Sequence, residues 1–407
     1  MSSDPNKIFK NRGLVGFPNL GNTCFMNTIY SAISSVIPFA KLLLYKEFEI
    51  NHNQDNSKAY YYIFVCLANL IICYYNNNKD GIQRNIEMLK DNFQIKTKWS
   101  CHIQQDAHEF LIQLFNIITS ITSTTDTDSE KCESYYDSII QIKESETSVI
   151  SNFLDYFEIG NDHKPISDTI VTLKKISDLA KKEYVSHHKC KWSKFTEIFG
   201  GQFCKMINCV CGHMSVKFDP FLIWSIPIFP LRIRDRQSEG IPLQDCMDRY
   251  VMRSQFDLEN KYHCEKCKNS NASHKSSIWM LPDNLIIHIK RFSFDHESKK
   301  SSKIIDPIDF PLENLDLSSY ISTSNEVLIN TKESKLIGNY KYKLTAVVNH
   351  SGNINEGHYY TFAKNQNGSW YCFNDTLVSK ISDLSQINVN NKNAYILFYS
   401  KAGPATN

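Results

Sequence analysis

The chain has 407 residues, of which 42% are hydrophobic and 12% aromatic, enough for a large buried core. Its formal net charge of +2 excludes the strong basic field that is typical of nucleic-acid-binding proteins. The 13 cysteines have no regular spacing, and the polar N-terminus has no apolar signal region. We therefore expect reduced cysteines in a cytoplasmic or nuclear protein that binds neither nucleic acid nor membrane.

The first predicted element is a polar turn that leads into a helix at Cys24. Pro38 is predicted to stop this helix, and Thr23 or Asn22 can cap its start. A thiol on the first helical turn faces unpaired N–H groups and the positive end of the helix dipole, which favour the thiolate. Cys24 is therefore either a nucleophile or a small buried apolar residue, and its position alone does not decide between them. The apolar face of the helix consists of Met26, Ile29, Ile33 and Val36.

Further helices are predicted in the N-terminal third of the chain. Two apolar helices lie between Leu42 and Tyr75, a third covers 82–93, and a fourth follows Asp106, which is placed to cap it. The stretch 59–75 has no formal charge, but it is short for a membrane span and contains several tyrosines. We predict a buried core helix there.

The character of the sequence changes twice after the helices. Residues 120–191 are rich in Ser, Thr, Asp, Lys and Glu, which predicts a polar, linker-like insertion with one or two modest helices. After Phe195, short β-branched and aromatic runs at 203–230, 285–294 and 342–348 predict strands. Helices followed by an antiparallel sheet define an α+β fold.

A hairpin near the C-terminus supplies a candidate base. Two alternating runs flank Asn367 and Gly368, a strong hairpin signal, and this pairing places His358 beside Asn374 and Asp375. An imidazole held next to an amide or carboxylate is the base and orienting group of a nucleophilic triad. A surface histidine near a turn is the alternative interpretation.

Cys24 and the hairpin together favour a thiol nucleophile with His358 as its base. Asn19, in the turn before Cys24, could donate its side-chain amide to a developing oxyanion, together with the Cys24 backbone N–H. Asn is also common in turns for conformational reasons, so this signal is weak by itself.

A candidate metal site combines two cysteine pairs. Cys264 and Cys267 form a C-x-x-C knuckle suited to tetrahedral zinc. The upstream pair would be Cys209 and Cys211, whose C-x-C spacing is one residue short. A metal-free pair of β-turns is the alternative. Two substitute ligands lie nearby in the sequence, namely His213 and Cys204.

Five stretches resemble the ubiquitin-specific protease family, the papain-like deubiquitinases. They are 16–27, 104–110, 281–292, 357–360 and 370–378. Five ordered blocks are far more specific than any single motif, and they cover nearly the whole chain apart from the N-terminal tail and the insertion.

The resemblance implies a papain-like fold with three parts. These are a helical thumb at about 14–118, a β-rich palm at about 192–400, and β-stranded fingers at about 200–280 inserted in the palm. They would form a single catalytic domain at 13–400, with a flexible tail at 1–12 and a short tail at 401–407. The family usually holds zinc on two C-x-x-C knuckles in the fingers, and the C-x-C pair departs from this pattern.

The resemblance also implies the reaction, which needs no cofactor. Cys24 would attack the carbonyl at the C-terminal glycine of ubiquitin, and His358 would act as general base and acid. Asn374 fills the position of the third triad residue, and Asp375 could support or replace it. Asn19 matches the oxyanion-hole position.

The ubiquitin tail is expected to contact a further set of residues. Tyr359 would wall the channel for the tail, and Asp106 and Glu109 would meet its arginines, although an exposed helix face explains Glu109 equally well. Gln105 belongs to the same motif and is predicted to bind substrate. The expected partners are ubiquitin and ubiquitinated proteins, and an activating protein partner is left open. Two other functions are an inactive ubiquitin-binding module and a protease for a ubiquitin-like modifier.

Overall fold

The structure is a computed structural model of the chain. It describes residues 9, 12–48, 57–97, 103–122, 129–139, 166–188, 192–229, 240–256, 262–268, 271–295, 300–321, 340–353, 356–388 and 391–403. The α-helices are α1 (Cys24–Ser34), α2 (Ile37–Leu44), α3 (Ser57–Tyr75), α4 (Lys79–Thr97), α5 (Ala107–Thr122), α6 (Ser129–Ile139), α7 (Ile166–His188), α8 (Lys194–Phe199), α9 (Leu243–Val251) and α10 (Ser385–Asn388).

The strands make a large central sheet and smaller sheets. They are β1 (Gly201–Cys209), β2 (Met214–Phe221), β3 (Trp224–Pro227), β4 (Ile241–Pro242), β5 (Ser254–Gln255), β6 (Ala272–Met280), β7 (Asn284–Lys290), β8 (Phe292–Asp295), β9 (Lys300–Lys303), β10 (Ile308–Asp309), β11 (Leu315–Asp316), β12 (Lys341–Gly352), β13 (Gly357–Lys364), β14 (Trp370–Asn374), β15 (Leu377–Ile381) and β16 (Ala394–Lys401).

The central sheet has the order β15-β14-β13-β12-β16-β7-β3, with β11 also paired to β12. Its pairs are antiparallel except for the parallel pair β3 and β7. Both faces of β7 are covered, because Ile286 packs in the core with the N-terminal helices, while Leu285 and Ile287 pack in a second core on the other face. This sheet holds β13 in its interior, where α1 packs against it.

Helix α1 is enclosed by its neighbours, and all of its residues are buried. The predicted C-terminal end of this helix is wrong, since α1 ends at Ser34 and Pro38 lies in the first turn of α2. Proline lacks an N–H group, and the first turn of a helix is where this lack costs least. Two short helices therefore replace the single longer one that the apolar spacing predicted.

Among the described helices, no single one is long and apolar enough to cross a bilayer. Helices α1 and α2 are long and apolar enough only when taken together, and their axes are bent by 91° at the break between them. Ile63, Leu67 and Leu70 of α3 are fully buried in the main core, as the prediction of a core helix requires.

Two helices of the insertion pack against the second sheet, whose strand order is β2-β1-β6-β5. Tyr136 of α6 and Tyr184 of α7 share a core with Met206 and Trp279 of this sheet. The Trp279 indole N–H donates to the Tyr136 hydroxyl at 2.8 Å. The described part of the insertion contains these two helices, and both are anchored to the sheet. Other parts of the insertion, at 123–128, 140–165 and 189–191, lie outside the described residues.

The predicted tails at 1–12 and 401–407 lie mostly outside the described residues. Phe9 is an exception, because it is fully buried and its ring meets Tyr75 edge-on with centroids 4.8 Å apart. Lys401 is the last residue of β16 and pairs with Tyr342.

Candidate active site

The turn before α1 is organised by Asn19 and Thr23. Thr23 occupies the N-cap position, as predicted, but its side chain makes no capping hydrogen bond. Its hydroxyl accepts a hydrogen bond from the Leu20 N–H at 2.9 Å instead. The Asn19 Oδ1 accepts from the Thr23 N–H at 3.2 Å. Cys24 follows on the first turn of α1, with only 4% of its surface exposed.

The hairpin β13–β14 sets the relation between His358 and the two candidate orienting residues. The predicted pairing places Asn374 directly opposite His358. The observed register pairs Thr361 with Phe373, so Asn374 instead lies diagonally from His358. Side chains two residues apart on a strand share a face, and Asn374 therefore lies on the His358 side of the sheet. Strand β14 ends at Asn374, and Asp375 begins the next turn with φ of 49°.

The three side chains Cys24, His358 and Asn374 form one hydrogen-bonded row. His358 Nε2 lies 2.6 Å from Asn374 Oδ1, and the same ring is hydrogen-bonded to Cys24. The hydrogen bond to Cys24, followed by that to Asn374, raises the pKa of His358 to about 9 against the opposing effect of burial.

Asp375 contacts a different set of groups. Its carboxylate accepts from Asn19 Nδ2 at 2.9 Å and from Asn27 Nδ2 at 2.8 Å. Its backbone carbonyl accepts from the Phe17 N–H at 2.9 Å. This approach is so close that a Cβ at Gly16 would overlap the Asp375 carbonyl oxygen, which explains the glycine at that position. Asp375 thus fastens the turn before Cys24 to the end of β14.

The base strand is also joined to α1 by two buried threonines. The Thr361 hydroxyl donates to the Thr28 backbone carbonyl at 2.9 Å, and the two hydroxyls are themselves hydrogen-bonded. Thr28 lies one helical turn after Cys24, and Thr361 lies three residues after His358. This bond therefore fixes the helix of the thiol against the strand of the imidazole. The sequence pattern contained no signal for this pair.

Gln104 is a second residue that sequence reasoning missed. Its Oε1 accepts from the Gly357 N–H at 2.8 Å, and its Nε2 donates to the Gly357 carbonyl. Both polar groups of the residue before His358 are thereby held by one side chain. Gln104 lies in the same motif as Gln105, which was the predicted substrate-binding residue, and spacing alone does not distinguish the two.

The four residues predicted to bind the tail lie in different environments. Asp106 caps α5, with Oδ1 accepting from the His108 N–H at 2.6 Å and Oδ2 accepting from the Tyr395 hydroxyl at 2.6 Å. Glu109 is exposed, and Gln105 is half-buried. Tyr359 is only 4% exposed and packs in the main core, where burial raises its pKa well above the ordinary value. Tyr359 therefore packs beneath the site as a core residue, and it offers little surface that could form a wall of the predicted channel.

The two cysteine pairs meet at the end of the second sheet. The sulfur atoms of Cys209, Cys211, Cys264 and Cys267 all lie within 4.8 Å of one another. Sγ of Cys209 lies 3.5 Å from that of Cys267, and Sγ of Cys211 lies 3.8 Å from that of Cys264. Four thiolates at a Zn–S distance of about 2.3 Å in a tetrahedron are separated by about 3.8 Å, so these residues fit the ion.

The short C-x-C spacing is accommodated by a tight turn. The Gly212 N–H donates to the Cys209 carbonyl at 2.9 Å, and Gly212 adopts φ of 78°, which glycine tolerates without strain. The hydrogen bond from the Cys267 backbone N–H is the first cause that lowers the pKa of Cys264 to about 6. Cys204 is fully buried in the core with Met206 and takes no part in the cluster. The four cysteines could therefore hold a metal ion.

The Cys, His and Asn side chains form a row of the kind that papain-like thiol hydrolases carry. A family model described as ubiquitin carboxyl-terminal hydrolase matches residues 15–399. The chain belongs to the ubiquitin carboxyl-terminal hydrolase family.

Relatives of known name agree with this assignment. Ubiquitin carboxyl-terminal hydrolase 2 of Bos taurus is 27% identical over 413 residues, which cover 99% of this chain and 58% of the relative. Probable ubiquitin carboxyl-terminal hydrolase R319 of Acanthamoeba polyphaga mimivirus is 34% identical over 227 residues, covering 54% of this chain and 44% of the relative. The chain spans about half the length of the curated relatives it matches.

Solved structures show the same α+β fold. A SAGA DUB module of Ubp8, Sgf11, Sus1 and Sgf73 bound to monoubiquitin matches with a TM-score of 0.63 and 22% identity, covering 97% of this chain and 71% of that one. The corresponding module bound to ubiquitin aldehyde matches with a TM-score of 0.63 and 23% identity, covering 99% and 72%. The predicted fold class is confirmed.

Proposed function

We propose that the protein is a thiol-dependent deubiquitinase that hydrolyses the isopeptide or peptide bond after the C-terminal glycine of ubiquitin. The observation that carries this proposal is the single imidazole of His358 between the Cys24 thiol and the Asn374 amide oxygen. Membership of the ubiquitin carboxyl-terminal hydrolase family supports ubiquitin as the substrate. The complete row of side chains argues against an inactive binding module.

The proposed reaction proceeds in two halves. The Cys24 thiolate attacks the carbonyl carbon of the terminal glycine, and the C–N bond breaks as His358 gives its proton to the leaving amine. A water molecule then attacks the thioester and loses its proton to His358. The C–S bond breaks, which restores the Cys24 thiolate beside the protonated His358, and the carboxylic acid that forms at the ubiquitin terminus loses its proton to water. Asn374 keeps the imidazole in the orientation that both halves require.

The oxyanion that forms in each half would lie beside Asn19 and the Cys24 backbone N–H. The Asn19 amide carries two N–H donors, and one of them is bound by Asp375 Oδ2 at 2.9 Å. That bond fixes the orientation of the amide, so its second N–H can donate to the oxyanion. Preorganised donors of this kind stabilise the tetrahedral intermediate without any reorganisation during the reaction.

Turnover of ubiquitin with a fluorogenic amide at its C-terminus tests this proposal. We expect hydrolysis by the native protein and none by Cys24→Ala, while the matched control Cys73→Ala, at a cysteine outside the site, retains activity. Absence of turnover by the folded native protein would refute the enzymatic function. Faster turnover of a ubiquitin-like modifier than of ubiquitin in the same assay would show that the substrate is the modifier.

We also propose that the metal held by the four cysteines is a structural zinc. Zinc would join the β1–β2 turn, which carries Cys209 and Cys211, to the knuckle at Cys264 and Cys267, and it would take no part in the reaction. Metal analysis of the purified protein should give about one equivalent of zinc. Cys211→Ser should lose it, whereas Cys73→Ser should not. Less than about half an equivalent in the native protein would reject a stoichiometric site.

A further inference from the structure

The hairpin β8–β9 carries a lysine that reaches the strand before the candidate base. In its register, Phe292 pairs with Lys303. The Lys303 ammonium donates to the backbone carbonyl of His350 at 2.6 Å and to that of Gly352 at 3.0 Å. One side chain of β9 therefore holds two carbonyls at the end of β12.

The end of β12 is the part of the sheet that faces His358. Ser351 pairs with His358, and Gly352 pairs with Gly357. The Ser351 hydroxyl also donates to the His358 carbonyl at 3.3 Å. Any shift of the carbonyls that Lys303 holds would therefore be transmitted directly to the backbone of His358.

The His350 ring fills the space behind this junction. A Cβ at Gly357 would overlap His350 Nε2, so the ring rests directly against the residue before His358. His350 also packs against the rings of Phe292 and Tyr359, with centroids 5.3 Å and 4.5 Å apart. The end of β12 thus has no room to move without disturbing β13.

We propose that Lys303 is a positioning residue for His358, which acts by fixing the end of β12 against the start of β13. Gln104 holds the Gly357 backbone independently, through its N–H and carbonyl. The start of the base strand is then held by two side chains, by Lys303 through the end of β12 and by Gln104 directly. This inference rests on the proposed function, because it concerns the geometry of the same base.

The Lys303 ammonium lies in unfavourable surroundings, and its contacts with two backbone carbonyls compensate for them. Burial, followed by the positive charges of Arg291 and Lys392, lowers the pKa of Lys303 to about 8. Arg291 is fully buried and donates to backbone carbonyls, including that of Ile304 at 3.0 Å. A half-buried cation among other cations is unfavourable unless specific acceptors compensate for the lost water. The carbonyls of His350 and Gly352 supply that compensation.

Three variants separate this positioning role from general stability. Lys303→Met keeps the apolar stem and removes the ammonium, and Lys303→Arg keeps a positive charge. Lys401→Met is the matched control, because Lys401 is an exposed lysine that pairs with Tyr342 at the opposite end of β12. Steady-state kinetics with the fluorogenic ubiquitin substrate and thermal unfolding are measured for each variant and for the native protein.

We expect Lys303→Met to lower kcat by about ten- to hundredfold, because small misplacements of a catalytic group have effects of this size. KM should stay within about twofold of the native value, since the Lys303 ammonium is bound to backbone carbonyls and is expected to act on the base and not on substrate binding. Lys303→Arg should restore kcat at neutral pH. Lys401→Met should behave as the native protein.

The pH dependence gives an independent readout. Above pH 8 the native Lys303 loses its proton, whereas an arginine keeps its charge. The ratio of kcat for Lys303→Arg to kcat for the native protein should therefore rise between about pH 7 and about pH 9. The other groups facing position 303 are Arg291, Lys392 and His350, and like His358 they are common to both proteins.

Several results would overturn the inference while leaving the proposed function intact. One is native kcat in Lys303→Met, and another is an equal loss in Lys401→Met. A positioning role would also be contradicted if Lys303→Met lowered the melting temperature and left kcat unchanged. If the native protein itself lacks turnover, the proposed function fails first, and the two failures are thereby distinguished.

Discussion

Asn374→Ala and Asp375→Ala are expected to impair the reaction through different groups. Asn374 contacts His358 Nε2 at 2.6 Å, whereas the Asp375 carboxylate contacts Asn19 and Asn27 at 2.9 and 2.8 Å. Loss of Asn374 should therefore change the titration of the base. Loss of Asp375 should instead release the candidate oxyanion donor and leave the base hydrogen-bonded.

The size of the Asn374 effect follows from its hydrogen bond. A bond to a charged group contributes about 1.5–3 kcal/mol, and the half-buried position of His358 favours the lower end. About 1.5 kcal/mol corresponds to about one pH unit. Because Asn374 is among the groups that raise the pKa of His358 to about 9, its removal lowers that pKa. The imidazolium is then lost at lower pH, and activity is lost with it.

The assay is the pH profile of kcat/KM for the fluorogenic ubiquitin substrate, from about pH 6 to about pH 10. The alkaline limb should move down by about one pH unit in Asn374→Ala and should move up in Asn374→Asp, since a carboxylate stabilises the imidazolium better than an amide. Asp375→Ala should lower kcat by about ten- to a thousandfold, as expected for a displaced oxyanion donor. It should move the limb down less than Asn374→Ala does, because the Asp375 charge raises the pKa of His358 less than the Asn374 hydrogen bond does.

The reverse pattern would refute this division of roles. If Asp375→Ala moved the alkaline limb and Asn374→Ala did not, Asp375 would be the residue that orients His358. An unchanged kcat in Asp375→Ala would also remove the reason for assigning Asn19 to the oxyanion.

Two further predictions concern stability. Tyr136→Phe leaves the buried Trp279 indole N–H without its acceptor, so the free energy of unfolding should fall by about 1–3 kcal/mol in a denaturant titration; no change would mean that the helix α6 does not pack on the second sheet. Burial lowers the pKa of His350 from 6.5 to about 4, so the unfolded chain binds more protons between these values. The melting temperature should therefore fall as the pH drops from about 6.5 to about 4, and His350→Phe should flatten that dependence.

The core of the site could be predicted from sequence because its signals are local. A helix start at Cys24 and a hairpin around Asn367 and Gly368 are defined by turn residues and periodicity, which act over a few residues. The choice between Asn374 and Asp375 could not be made in this way. It depends on where β14 ends and on the positive φ of Asp375, and neither is encoded in the alternation of the strand.

The residues that were missed make contacts across long stretches of chain. Gln104 and Gly357 are 253 residues apart, and Thr28 and Thr361 are 333 residues apart. Their partners are backbone groups or small hydroxyls, which produce no periodic pattern in the sequence. The cysteine cluster could be predicted in part. Its residue types indicate a metal site, but the fit of the C-x-C pair depends on the turn at Gly212.

The insertion shows why composition understates order. Polar side chains such as Glu133 lie on the exposed surface of α6, while Tyr136 and Tyr184 of the two helices enter the core of the second sheet. A segment that buries one narrow face resembles a linker when its residues are simply counted. The tertiary contact supplies the stability that the local sequence does not provide.

The most direct test of the account is labelling by ubiquitin that carries an electrophile at its C-terminus. The reaction requires a reactive thiol, its base and recognition of ubiquitin in one molecule. The account predicts one covalent adduct per chain, located on Cys24 by peptide mass spectrometry and absent in Cys24→Ala. An adduct on another cysteine, or none on the folded protein, would contradict the assignment of Cys24 as the nucleophile of a deubiquitinase.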